Sequence, residues 1–142
     1  LIPALLADNE IEAAVRVHAT LAEHHDTPWV RLRALQIACH QGNREVALTR
    51  FHALARDPEV TLDILREAAQ SFDQQQWNQT LTAELKEIVS DPASVPAAAT
   101  LWVERLVDLG QPQRAIEAIP HLRTSHPSAA RAALLALLIT LS

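Results

Sequence analysis

Residues 41–58 decide the fold, because they hold one complete unit of a pattern that recurs along the chain. They read QGNREVALTRFHALARDP. A turn glycine, Gly42, precedes apolar residues with helical spacing, and Pro58 ends the segment. The apolar set is Val46, Ala47, Phe51 and Leu54. This order predicts a tight turn, an amphipathic helix over 44–56 and a loop that leads into the next helix.

The same pattern recurs with a period of about 34 residues. One apolar column contains Ala13, Ala47, Leu81 and Ala115. A second, four residues later, contains Val17, Phe51, Leu85 and Ile119. Turn residues precede these helices at Asp8, Gly42, Gln76 and Gly110, and prolines follow at Pro28, Pro58, Pro92 and Pro127. Several columns that share one period predict a repeat architecture.

The composition and the spacing together predict an all-α protein. Aromatic residues make up 4% of the 142 residues and there are only two glycines, which is atypical of β-sandwiches. We expect Pro120 to kink or shorten its helix, because proline has no N–H and clashes with the preceding turn. The predicted helices cover residues 1–7, 10–24, 29–41, 44–56, 60–73, 77–89, 96–109, 112–124 and 128–141.

The pattern of Gly42, Ala47, Phe51 and Pro58 resembles the tetratricopeptide repeat family. The resemblance implies an α-solenoid of antiparallel helix pairs with a right-handed superhelical twist. It implies one repeat domain over residues 1–142, with about three full repeats. Leu81 and Gln76 depart from the small residue and the turn glycine of the family. The repeats would be 28–61, 62–95 and 96–129, with partial repeats at 1–27 and 130–142.

In this family the first helix of each pair lines a concave groove that binds a peptide. The resemblance therefore implies a groove that binds a peptide segment or a partner protein, and the acidic residues toward its C-terminal half favour a basic peptide. Only Arg66 could serve in a carboxylate clamp, so we do not expect binding of chaperone C-terminal tails. The implied groove residues are Trp29, Leu32, Gln36, His40, Asp63, Arg66, Gln70, Asp73, Gln74, Thr100, Glu104 and Asp108.

We therefore expect a protein-interaction scaffold. Bacterial arrays of this family serve envelope assemblies, including exopolysaccharide synthesis and export, so the resemblance implies that context, in the cytoplasm or the periplasm. The alternative is a regulatory or substrate-docking region attached to an enzyme elsewhere in a longer chain, such as a glycosyltransferase. The chain begins at Leu1 and ends on an apolar stretch, so we expect a piece of a larger protein or an end helix that associates with a second copy.

The residues argue against other classes of function. The net charge of −5, spread along the chain, disfavours nucleic-acid binding, which needs a basic surface. The apolar stretch 129–141 is too short to cross a bilayer.

Candidate reactive residues do not form a recognisable active site. Cys39 beside His40 has no third group to orient a base, so we interpret it as a buried helix cysteine and expect no enzyme activity. The seven histidines, including His24-His25-Asp26, lack the paired spacing of zinc ligands, so we expect neither metal nor cofactor. The carboxylate pairs are interpreted as solvated charge, and Trp102 as a core residue. These pairs are Asp57/Glu59 and Glu84/Glu87.

Overall fold

The computed structural model describes residues 2–24, 27–91, 93–127 and 130–131. In those ranges all regular secondary structure is α-helical and no residue lies in a strand, which confirms the all-α prediction. The helices are α1 (Ile2–Ala7), α2 (Ile11–His24), α3 (Pro28–His40), α4 (Arg44–Ala55), α5 (Leu62–Gln74), α6 (Asn78–Val89), α7 (Pro96–Asp108) and α8 (Pro112–Ser125). The helix predicted over 128–141 lies outside the described residues, apart from 130–131.

The starts of α3, α4 and α5 are specified by side chains that accept hydrogen bonds from the first turn, whereas α7 and α8 begin with a proline and without such a cap. The hydroxyl of Thr27 accepts from the backbone N–H of Val30 at 3.4 Å, and Thr61 does the same for Ile64. The bounds therefore fall within two residues of the predicted ones. Pro120 lies inside α8 without shortening it, since the helix continues to Ser125.

The chain divides into two compact units, Leu1–Asn78 (unit 1) and Gln79–Ser142 (unit 2). In unit 1 the central element is α3, which packs against α1, α2, α4 and α5. Residues 34–39 of α3 are buried without interruption. A helix segment that is buried around its whole circumference lies at the centre of a core, so the second half of α3 is the core of unit 1.

Aromatic side chains join the later helices of unit 1. Phe51 of α4 and Phe72 of α5 are fully buried, and their rings meet edge to face at 5.8 Å between centroids. Trp77, directly before α6, meets Phe72 at 6.1 Å in a similar arrangement. Such pairs add about 0.5–1.5 kcal/mol beyond their buried area. Phe51, a member of the second apolar column, is therefore a core residue.

Unit 2 has its own apolar core. Helices α7 and α8 pack against each other, and Val89 at the end of α6 contributes to the same cluster. Trp102 is partly buried and packs against this core. The buried members of the core are Val89, Ala99, Val103, Leu106, Ala115, Ile119, Leu122 and Ala130.

The odd-numbered helices α1, α3, α5 and α7 all end in the same left-handed turn. At each end one N–H bonds to the carbonyl three residues back and the next N–H to the carbonyl five residues back, as in a Schellman motif. After α3, for example, Gly42 bonds to Cys39 and Asn43 to Ala38, both at 3.0 Å. The residues with positive φ are Asn9 (62°), Gly42 (72°), Gln76 (62°) and Gly110 (72°).

These turns confirm most of the predicted turn column and correct its first member. Gly42, Gln76 and Gly110 are 34 residues apart, but the first left-handed residue is Asn9 and not Asp8. The first interval is therefore 33 residues. With that offset the partner of Ala47 in α2 is Ala14, which is fully buried, whereas Ala13 is partly exposed. A constant period of 34 therefore misplaced the α2 member of the first apolar column by one residue.

Asp57, in the loop between α4 and α5, corrects the interpretation of its carboxylate as solvated charge. It is only 7% exposed and forms an ion pair with Arg31 at the start of α3. Its other oxygen accepts the backbone N–H of Glu59 at 2.9 Å. Asp57 therefore holds the end of α4 to the start of α3, while Glu59 is exposed as predicted. Glu84 is partly buried and Glu87 is exposed.

Candidate functional site

The predicted groove residues of α3 separate into an exposed and a buried group. Trp29 is 48% exposed, the largest exposed fraction among the bulky apolar side chains described, and His40 is partly buried. Leu32 is fully buried and Gln36 is 8% exposed. Assigning Leu32 to a groove surface was therefore wrong, and Gln36 offers little surface to a partner. The cause is that α3 has neighbours on all sides.

Trp29 is held in place by Arg33, one turn later on α3. The guanidinium carbon lies 5.6 Å from the centroid of the Trp29 ring, a cation–π arrangement. The Nη1 of Arg33 also donates to the Gln36 side-chain oxygen at 2.8 Å. The same nitrogen lies 3.5 Å from Oε2 of Glu67 on α5. Arg33 thus links the exposed tryptophan to the neighbouring helix.

The Arg33–Glu67 contact is an ion pair without a well-aligned hydrogen bond. Oε2 of Glu67 is shielded from solvent and has no hydrogen-bond partner among the described residues, although the whole side chain is 38% exposed. The contact therefore rests on charge attraction alone. Neither Arg33 nor Glu67 was predicted from the sequence. The available signal was the four-residue spacing between Trp29 and Arg33, which places them on the same face of a helix.

The predicted residues of α5 are all exposed. Asp63 pairs with Arg66 at 3.4 Å within the helix. Glu67 lies on the same side of α5, since residues spaced by three, four and seven share one face of a helix. The exposed set is Asp63, Arg66, Gln70, Asp73 and Gln74. We call the surface formed by Trp29, Arg33, Asp63, Arg66, Glu67 and Gln70 the α3–α5 face.

The predicted residues of α7 belong to unit 2. Thr100 and Glu104 are partly buried, and Asp108 is exposed. Their spacing of four places them on one side of α7. They lie in a different unit from the α3–α5 face, which is built wholly from unit 1.

A concave site that the sequence did not predict lies within unit 2. It is a half-open depression between α6, α7 and α8, with a volume of about 680 Å³. Its α7 residues include Trp102 and Leu106, about 200° around the helix from Thr100 and Glu104. We call it the unit-2 groove. It is lined by Gln79, Thr82, Ala83, Lys86, Trp102, Leu106, Leu109, Gln111, Arg114, Glu117 and Ala118.

The floor and the rim of the unit-2 groove differ in character. Leu106 and Ala118 of the floor are buried, whereas Trp102 and Leu109 are partly buried. The charged rim residues are exposed: Lys86 on α6, and Arg114 and Glu117 on α8. Trp102 is thus both a core residue, as predicted, and part of a surface site. A partly apolar concave site with a few polar groups is typical of ligand pockets.

Cys39, the one cysteine, has an environment that disfavours reactivity. It is fully buried in α3, as predicted. Burial raises the pKa of the Cys39 thiol to about 12, because the thiolate would lose its hydration. The nucleophilic form of cysteine is the thiolate. The thiol therefore stays protonated near neutral pH.

Ser94 and His126 form the other pair of potentially reactive side chains. Both are buried, and Ser94 Oγ lies 3.1 Å from Nε2 of His126. The hydroxyl also lies 2.8 Å from the carbonyl oxygen of Asp91, which can only accept a hydrogen bond. The serine hydrogen therefore goes to Asp91, and Nε2–H of His126 donates to Ser94. A general base must instead accept the proton of its nucleophile, so this geometry is structural.

Within the described residues, no group of three or more His, Cys, Asp and Glu side chains could hold a metal ion. His25 and Asp26 lie outside the described residues. No helix within the same ranges combines the length and the apolar character that crossing a bilayer requires.

Among the described residues the fold is all-α and carries two candidate interaction sites, the α3–α5 face and the unit-2 groove. In comparisons with known proteins, no family model, no curated protein and no solved structure matches it.

Proposed function

We propose that this chain is a protein-interaction scaffold of the tetratricopeptide kind, in which helix pairs stack as a right-handed α-solenoid. The recurrent left-handed turn after α1, α3, α5 and α7 supports that proposal. So does the packing order in unit 1, where each odd-numbered helix contacts the next odd-numbered one. In such stacks the odd-numbered helices present one continuous surface to partners.

The binding surface in this proposal is the α3–α5 face. The observation that carries it is the half-exposed Trp29 ring, which Arg33 holds in place. Tryptophan buries a large area with little loss of conformational entropy and is enriched among binding hot spots. Arg33 pairs in turn with Glu67 on α5, so these two contacts connect the indole to that helix.

The partner is an extended or helical peptide segment with an apolar side chain and a basic one. The apolar side chain packs on Trp29, and the basic one is attracted by two exposed carboxylates of α5. Asp63 belongs to the α3–α5 face, and Asp73 lies next to it, one turn beyond Gln70. The amides of Gln70 and Gln74 on the same helix can bond to the peptide backbone.

Peptide-display selection on the immobilised chain tests this function. We expect selected peptides to combine an apolar anchor with Lys or Arg. Trp29→Ala should weaken their binding at least tenfold, because truncating a hot spot costs about 2 kcal/mol or more. The matched control is Val46→Ala, which removes an apolar side chain that is 37% exposed on α4. Equal loss in both variants, or no loss in Trp29→Ala, would rule out the α3–α5 face.

A further inference from the structure

The unit-2 groove has a chemistry unlike that of the chain as a whole. The chain carries a net charge of −5, whereas the groove is lined by two cations, Lys86 and Arg114, and one carboxylate, Glu117. We propose that the unit-2 groove is a second binding site, specific for an acidic peptide segment of a partner protein that carries an apolar side chain. The proposal stands independently of the function assigned to the α3–α5 face.

The floor of the groove supplies the position for the apolar side chain. One part of the Trp102 ring packs against the core cluster of unit 2, and another part lines the groove. Because the ring is rigid, the core contact also restrains the part that lines the groove. Leu106, Leu109 and Ala118 extend the apolar surface beside it. The volume of about 680 Å³ is in the range of natural ligand sites and accommodates several peptide side chains.

The two cations come from different helices of the rim. Lys86, the single lysine of the chain, lies on α6, and Arg114 lies on α8. The Arg114 guanidinium is oriented by a hydrogen bond of 3.2 Å to the side-chain oxygen of Gln111. Cations on two helices around one apolar floor suit a peptide with carboxylates on both sides of an apolar residue.

Uncharged polar groups complete the rim and favour a peptide over a simple anion. Gln79 and Thr82 lie on α6, and Gln111 precedes α8. Their amides and hydroxyl can bond to backbone N–H and C=O groups, which a small carboxylate lacks. Glu117 is the opposing feature, because its carboxylate reduces the positive charge of the rim. Removing that carboxylate should therefore tighten the binding of an acidic peptide.

The test uses the whole chain and three fluorescein-labelled octapeptides, with binding followed by fluorescence anisotropy. Each peptide contains one phenylalanine and one leucine. The three peptides differ only at four positions, which are all Glu in one, all Gln in another and all Lys in the third. We expect the Glu peptide to bind most tightly and to weaken as NaCl rises from 50 to 500 mM, since salt screens exposed charges. Equal binding of the Gln or Lys peptide would overturn the proposal, as would equal competition by N-acetylglutamate.

Exposed rim variants locate the site without disturbing the core. Lys86→Gln and Arg114→Gln should each weaken binding of the Glu peptide about two- to fivefold. Glu117→Gln should strengthen it about two- to threefold. Arg50→Gln makes the same change in net charge on α4 of unit 1 and should have no effect. Loss in Arg50→Gln equal to that in the rim variants would show nonspecific attraction and overturn the site.

The tryptophan indole N–H signals in ¹H–¹⁵N spectra separate this proposal from the function of the α3–α5 face. Binding of the Glu peptide should shift the Trp102 signal and leave the Trp29 signal in place. Trp29→Ala should keep the affinity for this peptide unchanged. A shift confined to Trp29 would overturn the unit-2 site. Signals that broaden with protein concentration alone would identify a second copy as the occupant and also overturn it.

Discussion

Gln76 and Gly42 occupy the same place in two left-handed turns, and exchanging these residue types measures what that backbone conformation costs. Their φ angles are 62° and 72°, and each follows the last turn of an odd-numbered helix. A Cβ atom added at Gly42 would meet nothing within 4 Å, so the site imposes no steric contact of its own. The difference between Gln and Gly here is therefore a backbone effect.

The magnitude follows from two opposing contributions. A left-handed conformation costs a residue with a side chain about 1–2 kcal/mol. Glycine avoids this cost, but its greater freedom in the unfolded chain lowers the free energy of unfolding by about 0.5–1 kcal/mol. We therefore expect Gln76→Gly to raise the free energy of unfolding by about 0.5–1 kcal/mol and Gly42→Gln to lower it by a similar amount.

Urea unfolding followed by circular dichroism at 222 nm measures both changes. Both residues lie in unit 1, so the same unfolding transition reports on them. The matched control is Gln75→Gly, which makes the same exchange one residue earlier, where φ is −90°. That control should destabilise, because glycine only adds freedom to the unfolded chain there. If Gln76→Gly destabilises as much as Gln75→Gly, the left-handed cost is absent and the reasoning is refuted.

Three further outcomes follow from buried polar groups. Asp57→Ala should lower the free energy of unfolding by about 1–3 kcal/mol, because Arg31 and a backbone N–H lose a charged acceptor. His126→Gln should make stability less dependent on pH below about 6.5. Burial lowers the pKa of His126, so the unfolded chain binds the proton more readily than the folded chain. The contribution of His126 to stability is therefore complete above pH 6.5 and is lost as the pH falls through the pKa of the folded state. Iodoacetamide should label Cys39 only after unfolding, since its pKa is raised to about 12.

Each of these three measurements has a control in the same chain. Glu59→Gln removes an exposed carboxylate two residues from Asp57 and should change stability by less than about 0.5 kcal/mol. His52→Gln makes the same exchange on α4 and supplies the reference pH profile for a histidine removed elsewhere in the chain. A pH profile that is the same for His126→Gln and for the unaltered chain would contradict the assignment. Rapid labelling of Cys39 in the folded chain would contradict its burial.

The sequence was sufficient to predict the helices and most of the turns, because both depend on neighbours in the chain. Thr27 and Thr61 cap helices from the preceding residue, and Gly42 and Gly110 allow the left-handed turn. The periodic spacing of apolar residues likewise predicted that Phe51 is a core residue. The α2 member of the first apolar column was misplaced because the left-handed residue of the first turn is Asn9. Asparagine, like glycine, tolerates a left-handed backbone. A search for glycine equivalents that included asparagine could have found the 33-residue interval.

The surfaces could not be predicted from one helix at a time, because exposure depends on how many neighbours a helix has. Leu32 and Gln36 follow Trp29 at helical spacing, so a face drawn on α3 alone includes all three. Four packed neighbours then bury the later part of that face. The pairing of Arg33 with Glu67 depends likewise on the approach of α5, which no spacing in the sequence specifies.

The α3–α4 and α7–α8 pairs are each fixed at both ends, and this accounts for the burial of Asp57, Ser94 and His126. A left-handed turn joins α3 to α4, and the same turn joins α7 to α8. At the other end of the α3–α4 pair, the loop after α4 is held to the start of α3 by Asp57 and Arg31. In the α7–α8 pair, His126 directly after α8 bonds to Ser94, two residues before α7. The Arg31–Asp57 contact is an ion pair and the Ser94–His126 contact is a neutral hydrogen bond. The two contacts therefore share their position in the helix pair, opposite the left-handed turn, and not their chemistry. A turn fixes only one end of a helix pair, and the opposite end therefore needs a directional contact that apolar packing alone does not provide.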